Sequence, residues 1–276
     1  MNLRKGKAHE NSEHLIPVPI CTICKGEKEM KALITGASSG IGRDLARELS
    51  KKGYDLVLVA RNFEKLQELK EELKVNVEIE CMDVSVTDNC KKLHEKYKNI
   101  DLIVNNAGFG DCGYFDKTSL DKEIQMINTN IVAYHVLTKI YLKDFKEKNS
   151  GAILNVASIA GFMPGPLMAT YYATKSYVVR LSEAIREELK REKSAVKISI
   201  LCPGPVNTNF NKVADVEFQA KGLTSEYVAK YTVNKLLKGK FYIIPGKSIK
   251  LLRLINKILP SNIMAKFCYN MQKRKI

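Results

Sequence analysis

Ser158, Tyr171 and Lys175 are the residues of this chain whose types and spacing suit moving a proton and a hydride together. Tyr171 and Lys175 lie four residues apart, which on a helix stacks both side chains on one face, one turn from each other. An ammonium beside a phenol favours the phenolate, so the spacing predicts a tyrosine pKa drawn down from about 10 toward the working pH. A tyrosine poised in that way is a usable general acid and base. Ser158 lies 13 residues before Tyr171 and follows the apolar run Ala152-Ile153-Leu154-Asn155-Val156-Ala157, which reads as a buried strand. A hydroxyl at a strand's carboxyl end can hydrogen-bond a carbonyl held in the crevice there. Taken alone, a tyrosine and a lysine at this spacing are as readily a pair on a helix surface. The elements that must position them decide between the two.

Residues 31–35 read as a strand, Gly36-Ala37-Ser38-Ser39-Gly40-Ile41-Gly42 as a glycine-rich turn, and residues 43–52 as a helix. Strand, glycine turn and helix N-terminus together make a phosphate-binding arrangement: glycines let the backbone approach a pyrophosphate, and the helix offers free N–H groups and a favourable dipole. Residues 55–60 form a second strand, apolar on both faces as a parallel sheet requires. An acid at its end would bind a ribose 2′-hydroxyl. Here the residues are Ala60 and Arg61, and an arginine suits a 2′-phosphate, which predicts NADP(H). A helix is predicted over 63–74 and a third strand over 76–81. Asp83-Val84 follow, with a carboxylate able to accept from an adenine amino group. A helix over 87–97 and a strand over 101–104 lead to Asn105-Asn106-Ala107-Gly108, where small residues let a cofactor lie against the strand end. This alternation predicts βαβ units and a parallel sheet.

Residues 119–148 read as one long helix containing Asn130, a polar amide suited either to a satisfied core position or to a site that holds a proton-relaying water for Lys175. The loop 161–168, Gly-Phe-Met-Pro-Gly-Pro-Leu-Met, is apolar and suits the wall of a greasy pocket or plain packing. A helix from Tyr171 to Arg191, a strand over 196–201, Cys202-Pro203-Gly204-Pro205-Val206-Asn207-Thr208, a lid over 209–222, a helix over 224–238 and a short strand over 241–244 complete the pattern.

With 276 residues, 45% of them hydrophobic, the chain suits one α/β domain with tails. No run of 18 apolar residues predicts a membrane-spanning helix, and the N-terminus has no secretory-signal pattern. Seven scattered cysteines fit free thiols in a reducing cytoplasm. Residues 1–29 contain His9, His14, Cys21 and Cys24, but their order does not match a zinc finger; a flexible leader without metal is expected.

The net charge of +15 is concentrated at one end: from Val228 to Ile276 there are twelve basic residues and no acidic one. Within 247–259, Leu251, Leu254, Ile255, Ile258 and Leu259 form one apolar helical face, with Lys250, Arg253 and Lys257 on another. This basic amphipathic tail, 247–276, predicts contact with an anionic membrane surface; a cap over the substrate pocket or a dimer face are the other readings. Nucleic acid is not expected, because no aromatic platform interleaves the charge.

Together these motifs resemble the short-chain dehydrogenase/reductase family over roughly residues 30–246. Thr35-Gly36-x-x-x-Gly40-x-Gly42 resembles its cofactor motif, Asn105-Asn106-Ala107-Gly108 the motif after its fourth strand, and Asn130, Ser158, Tyr171 and Lys175 its catalytic tetrad. Pro203-Gly204 with Val206 and Thr208 resembles its nicotinamide-side motif, and Arg61 its NADP-preferring branch. The resemblance implies a Rossmann-like doubly wound parallel sheet in a single catalytic domain, and a homodimer or homotetramer. It implies Tyr171 as acid/base, Ser158 orienting the carbonyl, and Lys175 binding the nicotinamide ribose and lowering the tyrosine pKa. Asn130 would support the relay. The expected activity is NADP(H)-dependent exchange of hydride with a carbonyl or secondary alcohol, on an apolar substrate such as a lipid, steroid or acyl carbonyl. A non-catalytic NADP(H) sensor is the rival, but it has no need of the tyrosine–lysine pair. An epimerase or dehydratase would need more chain after the sixth strand.

Overall fold

Branched apolar residues crowd into seven short segments, and these assemble as one parallel sheet in the computed structural model, which describes residues 30–208 and 222–273. The strands are β1 (Met30–Thr35), β2 (Tyr54–Ala60), β3 (Val77–Cys81), β4 (Leu102–Asn105), β5 (Ala152–Val156) and β6 (Lys197–Leu201), with a small parallel pair β7 (Val206–Asn207) and β8 (Leu223–Thr224) beside them, and β9 (Tyr242–Ile243). The main sheet runs in the order β3-β2-β1-β4-β5-β6-β9. The strand order therefore reverses between β1 and β4, and a crevice opens there at the carboxyl ends.

Helices cover both faces: α1 (Gly40–Ser50), α2 (Phe63–Glu72), α3 (Thr87–Lys96), α4 (Leu120–Ile127), α5 (Ala133–Glu147), α6 (Ala169–Arg191) and α7 (Ser225–Leu236). Successive strand residues point to opposite faces, so Leu33 joins a core with Tyr134, Tyr141 and Phe145, while Ile34 joins one with Leu45, Leu49 and Val233. Each fully buried side chain of this size contributes about 1.5–3 kcal/mol. A third, smaller cluster of Met163, Met168, Tyr172, Met264 and Cys268 fastens the C-terminal helices α8 (Lys247–Ile258) and α9 (Ser261–Lys273) over loop 161–168.

One expectation is amended and one is extended. The helix predicted over 119–148 is broken by a π turn, Asn128–Val132, between α4 and α5. The break coincides with Asn130, whose amide bonds across to the backbone of Phe109. The helix expected within 247–259 is present as α8, and the segment after it, whose structure was left open, forms α9 beyond Leu259-Pro260, where proline ends the first. The leader and residues 209–221 of the expected lid lie outside the described residues.

Candidate active site

β1 ends at Thr35, and the chain turns at Gly36, φ +66°, toward α1. The N-cap of α1 is Ser39, whose side chain makes no capping bond, and no acidic residue sits in the first turn. The helix therefore presents its N–H groups and positive dipole end where Gly36, Ser38, Ser39, Gly40 and Ile41 line a cavity. Gly42 lies beneath them: a Cβ there would come within 2.3 Å of the Gly36 carbonyl oxygen, so the turn closes only on glycine.

Asn106 holds the turn from the other side. Its Nδ2 donates to the carbonyls of Thr35 and Gly36 at 3.0 and 3.1 Å, and its N–H and that of Ala107 donate to Thr35 Oγ1. Sequence reasoning assigned Asn105 to the cofactor, and the structure places its side chain away from the cavity. Asn105 is wholly buried, its Nδ2 donating to Asn155 Oδ1 and Thr138 Oγ1 at 2.8 and 3.1 Å. Neighbours at a strand end point opposite ways, and Asn106 is the one that lines the cavity.

The cavity has a volume of about 1240 Å³, above the usual range for a single small-molecule site. Arg61, Asp83 and Val84, after β2 and β3, form one end; Ser158, Tyr171 and Lys175, after β5 and on α6, form the other. Ala107 and Gly108 lie between them, and Pro203, Gly204, Val206 and Thr208 close the β6 side. The exposed Arg61 guanidinium stands 3.6 Å from the Asp83 carboxylate. An exposed pair of this kind contributes only about 0–1 kcal/mol, so it does not lock the arginine against a competing anion. Beside it is a recess of 140 Å³ lined by Ser38, Ser39, Arg43 and Lys65 among others. Arg43, which sequence reasoning passed over, has a buried Nε with no hydrogen-bond partner, 3.4 Å from the Asp44 carboxylate.

At the other end Ser158 Oγ accepts from the Ala160 N–H at 3.1 Å and hydrogen-bonds Tyr171. Lys175 is buried; its Nζ donates to the Val156 carbonyl at 3.0 Å and lies 5.9 Å from the centre of the Tyr171 ring. The expected fall in the tyrosine pKa is not what this geometry produces. Burial pushes the Tyr171 phenol up to about 12, opposed by the Ser158 hydrogen bond, and burial pushes the Lys175 ammonium down to about 8. Desolvation of the charged form is the leading cause in both cases. At neutral pH Tyr171 is thus a protonated phenol, able to donate.

Asn130 is buried and lies behind the cavity wall. Its Oδ1 accepts from the Phe109 N–H, and its Nδ2 donates to the Phe109 carbonyl and to Thr174 Oγ1. With both Nδ2 protons engaged, the side chain's part is to brace the loop after β4 against α6. A Cβ on Gly108 would lie 2.9 Å from Asn130 Oδ1 and 3.4 Å from Lys175 Nζ, so a bare backbone here lets the loop sit against the lysine.

Apolar side chains cover the substrate end. Met163 and Met168 come from the predicted apolar loop, while Ile249, Leu252 and Met271 come from α8 and α9. Gln272 is buried and donates to Tyr172 Oη at 2.5 Å. The signal for Gln272 was the spacing Met264, Cys268, Gln272, an i, i+4, i+8 stripe facing inward. Among the described residues no cluster of side chains could hold a metal ion, and no helix is long and apolar enough to cross a membrane.

A sequence model of short chain dehydrogenases matches residues 30–217. The human very-long-chain 3-oxoacyl-CoA reductase is 33% identical over 254 residues, which are 88% of this chain and 79% of that protein. A short-chain dehydrogenase from Sphingobium yanoikuyae in complex with NADPH superposes with a TM-score of 0.75 at 26% identity, covering 83% of this chain and 93% of that one. A short-chain dehydrogenase/reductase from Burkholderia phymatum in complex with NAD gives 0.75 at 25% identity, over 82% and 92%. By its glycine turn, its sheet order and these likenesses, the chain belongs to the short-chain dehydrogenase family of nicotinamide-dependent oxidoreductases.

Proposed function

We propose that this protein is an NADP(H)-dependent carbonyl reductase, or alcohol dehydrogenase in the reverse direction, acting on an apolar substrate. The observation that carries the reading is that Ser158, Tyr171 and Lys175 share one cavity with the glycine turn of α1. Proton donor and phosphate cradle stand at two ends of a space large enough for a dinucleotide and a substrate. The residues fit such a cofactor: Gly42 admits no side chain, and the α1 N-terminus is uncapped. When bound, a nicotinamide would exchange hydride with the carbonyl carbon.

The protein's own part is the proton and the orientation. Ser158 holds the substrate oxygen. Tyr171 gives that oxygen its proton and takes one back in the oxidation direction. Lys175 stabilises the phenolate that Tyr171 becomes, and with Tyr171 reaches the nicotinamide ribose. Asn130 keeps the loop of Gly108 and Phe109 in place behind them. Val84 and Asp83 would meet the adenine.

NADP(H) rather than NAD(H) is supported by Arg61 and by Arg43, two cations around Ser38 and Ser39 at the adenosine end. Replacing Arg61 with glutamate should raise KM for NADPH by about 10- to 100-fold, the value of a charge-assisted hydrogen bond, and change KM for NADH little. A wild-type enzyme that already prefers NADH in the same assay would refute this choice.

An apolar substrate is supported by Met163, Met168, Ile249, Leu252 and Met271 at the substrate end and by the acyl thioester in the human relative's name. NADPH oxidation across carbonyls of graded chain length tests it. kcat/KM should climb with added methylenes, by up to roughly tenfold or more for each, and a preference for small polar aldehydes would contradict it. The proposed assembly is a homodimer or homotetramer, supported by exposed Leu120, Ile124 and Tyr177 on α4 and α6. A cytoplasmic setting is supported by the free thiols of Cys81, Cys90 and Cys202.

A further inference from the structure

We propose that helices α8 and α9 lie flat on an anionic membrane surface and that the substrate end of the cavity is fed from that bilayer; the second half rests on the catalytic reading above. Leu251, Leu254, Ile255 and Ile258 are 57%, 56%, 39% and 84% exposed. Their spacing is i, i+3, i+4, i+7, so they form a continuous stripe along the outside of α8. On α9, Ile263 and Phe267, four residues apart, are each 49% exposed. Scattered single exposed leucines need no explanation, but exposed apolar side chains at helical spacing on two successive helices do.

These helices are not loosely attached. On the inner side of α8, Ile249 and Leu252 line the cavity, the Asn256 amide donates to the Phe162 carbonyl, and the Arg253 guanidinium stacks 3.6 Å from the centre of the Tyr242 ring. On α9, Met264, Cys268 and Gln272 are buried. Each helix is thus committed to the protein by one face and carries a second apolar face outward. A helix that merely capped the pocket would need only the first.

Charge selects the occupant. The two helices hold six basic residues and no acidic one, and none occurs from Val228 onward. Lys247, Lys250 and Lys257 are exposed, and Lys250 and Lys257 lie along one flank of the α8 stripe. A second copy of the chain seated on this face would set cation against cation, with no carboxylate in the segment to offset it. Anionic phospholipid supplies both complements, headgroup charge for the lysines and acyl chain for the stripe. Among the described residues no helix could cross the membrane, so the contact is interfacial. Because the inner faces of the same helices wall the substrate end, docking brings that end to the lipid, where an apolar carbonyl would dissolve.

The test is co-sedimentation of the full chain with vesicles of phosphatidylcholine alone or mixed with phosphatidylglycerol. The protein should pellet with the mixed vesicles only, and added salt should release it. The pair Leu254→Glu and Ile258→Glu should weaken partitioning by at least about tenfold, with circular dichroism and turnover of a small water-soluble carbonyl unchanged. If that pair misfolds, Lys247→Glu with Lys257→Glu should weaken binding to a similar extent. Wild-type turnover of a bilayer-borne carbonyl should rise on adding the anionic vesicles, and turnover by the Leu254/Ile258 variant should not. No pelleting, equal pelleting with neutral vesicles, or light scattering in which the variants split a dimer would overturn the docking. Vesicle binding with no turnover of any carbonyl would support the docking and count against the catalytic reading instead.

Discussion

Replacing Tyr171 with phenylalanine should lower carbonyl turnover by roughly three orders of magnitude while leaving nucleotide affinity within about twofold. The change removes one oxygen and keeps the ring, so the packing of the side chain beside Tyr172 and Lys175 survives. It deletes the titratable hydroxyl that Ser158 engages in the cavity, together with the proton the carbonyl oxygen must receive. Burial holds this phenol near pKa 12, so the wild-type acid is fully protonated at neutral pH and its rate should be independent of its own titration there. In the oxidation direction the phenolate is required, and the rate should instead rise about tenfold per pH unit below that value. Stopped-flow NADPH absorbance and fluorescence titration of nucleotide measure the two halves separately. A phenylalanine variant that turns over normally would mean that another group supplies the proton.

Replacing Lys175 with methionine should cost about two to three orders of magnitude in kcat. The ammonium is the buried cation next to the tyrosine, and it compensates the charge that appears there when the proton leaves. Its own pKa is depressed to about 8 by burial, so the charged form dominates below that pH and is lost above it. Carbonyl reduction by the wild type should therefore be flat at low pH and fall as pH rises through about 8. The methionine variant should lack that limb and stay uniformly slow. Stability should move the opposite way. A depressed lysine pKa means that folding disfavours the ammonium, a cost fully present below about pH 8 and fading toward the ordinary lysine range. Methionine removes it, so Tm at neutral pH should be equal or higher, which separates lost chemistry from lost folding. A pH limb retained in the variant would assign it to some other group.

Local patterns in the sequence were enough for the alternation of strands and helices, the glycine turn and the tyrosine–lysine pair, because each depends on neighbours within one or two turns of chain. What escaped depends on distant contacts. Gln272 and Tyr172 meet across 100 residues, and no local period announces that one is the other's partner. Asn105 and Asn106 are chemically identical neighbours, and only the direction of the strand end tells which enters the core and which holds the turn. The π turn at Asn130 arises from an amide reaching Phe109, 21 residues back. The direction of the Tyr171 pKa was misjudged because spacing reveals a nearby cation but not the desolvation around it. The tail read correctly as amphipathic, yet that it has two apolar faces, one lining the cavity and one bare, needed three dimensions.

The reaction itself is tested most directly by isotope transfer. NADPH carrying deuterium at nicotinamide C4 should be incubated with the wild-type protein and a long-chain apolar ketone, and the product analysed by mass spectrometry. Deuterium on the former carbonyl carbon, one per NADPH consumed, with the new hydroxyl proton drawn from solvent, is the expected result. Product without deuterium, or no product at saturating nucleotide across a panel of ketones and aldehydes, would contradict the account.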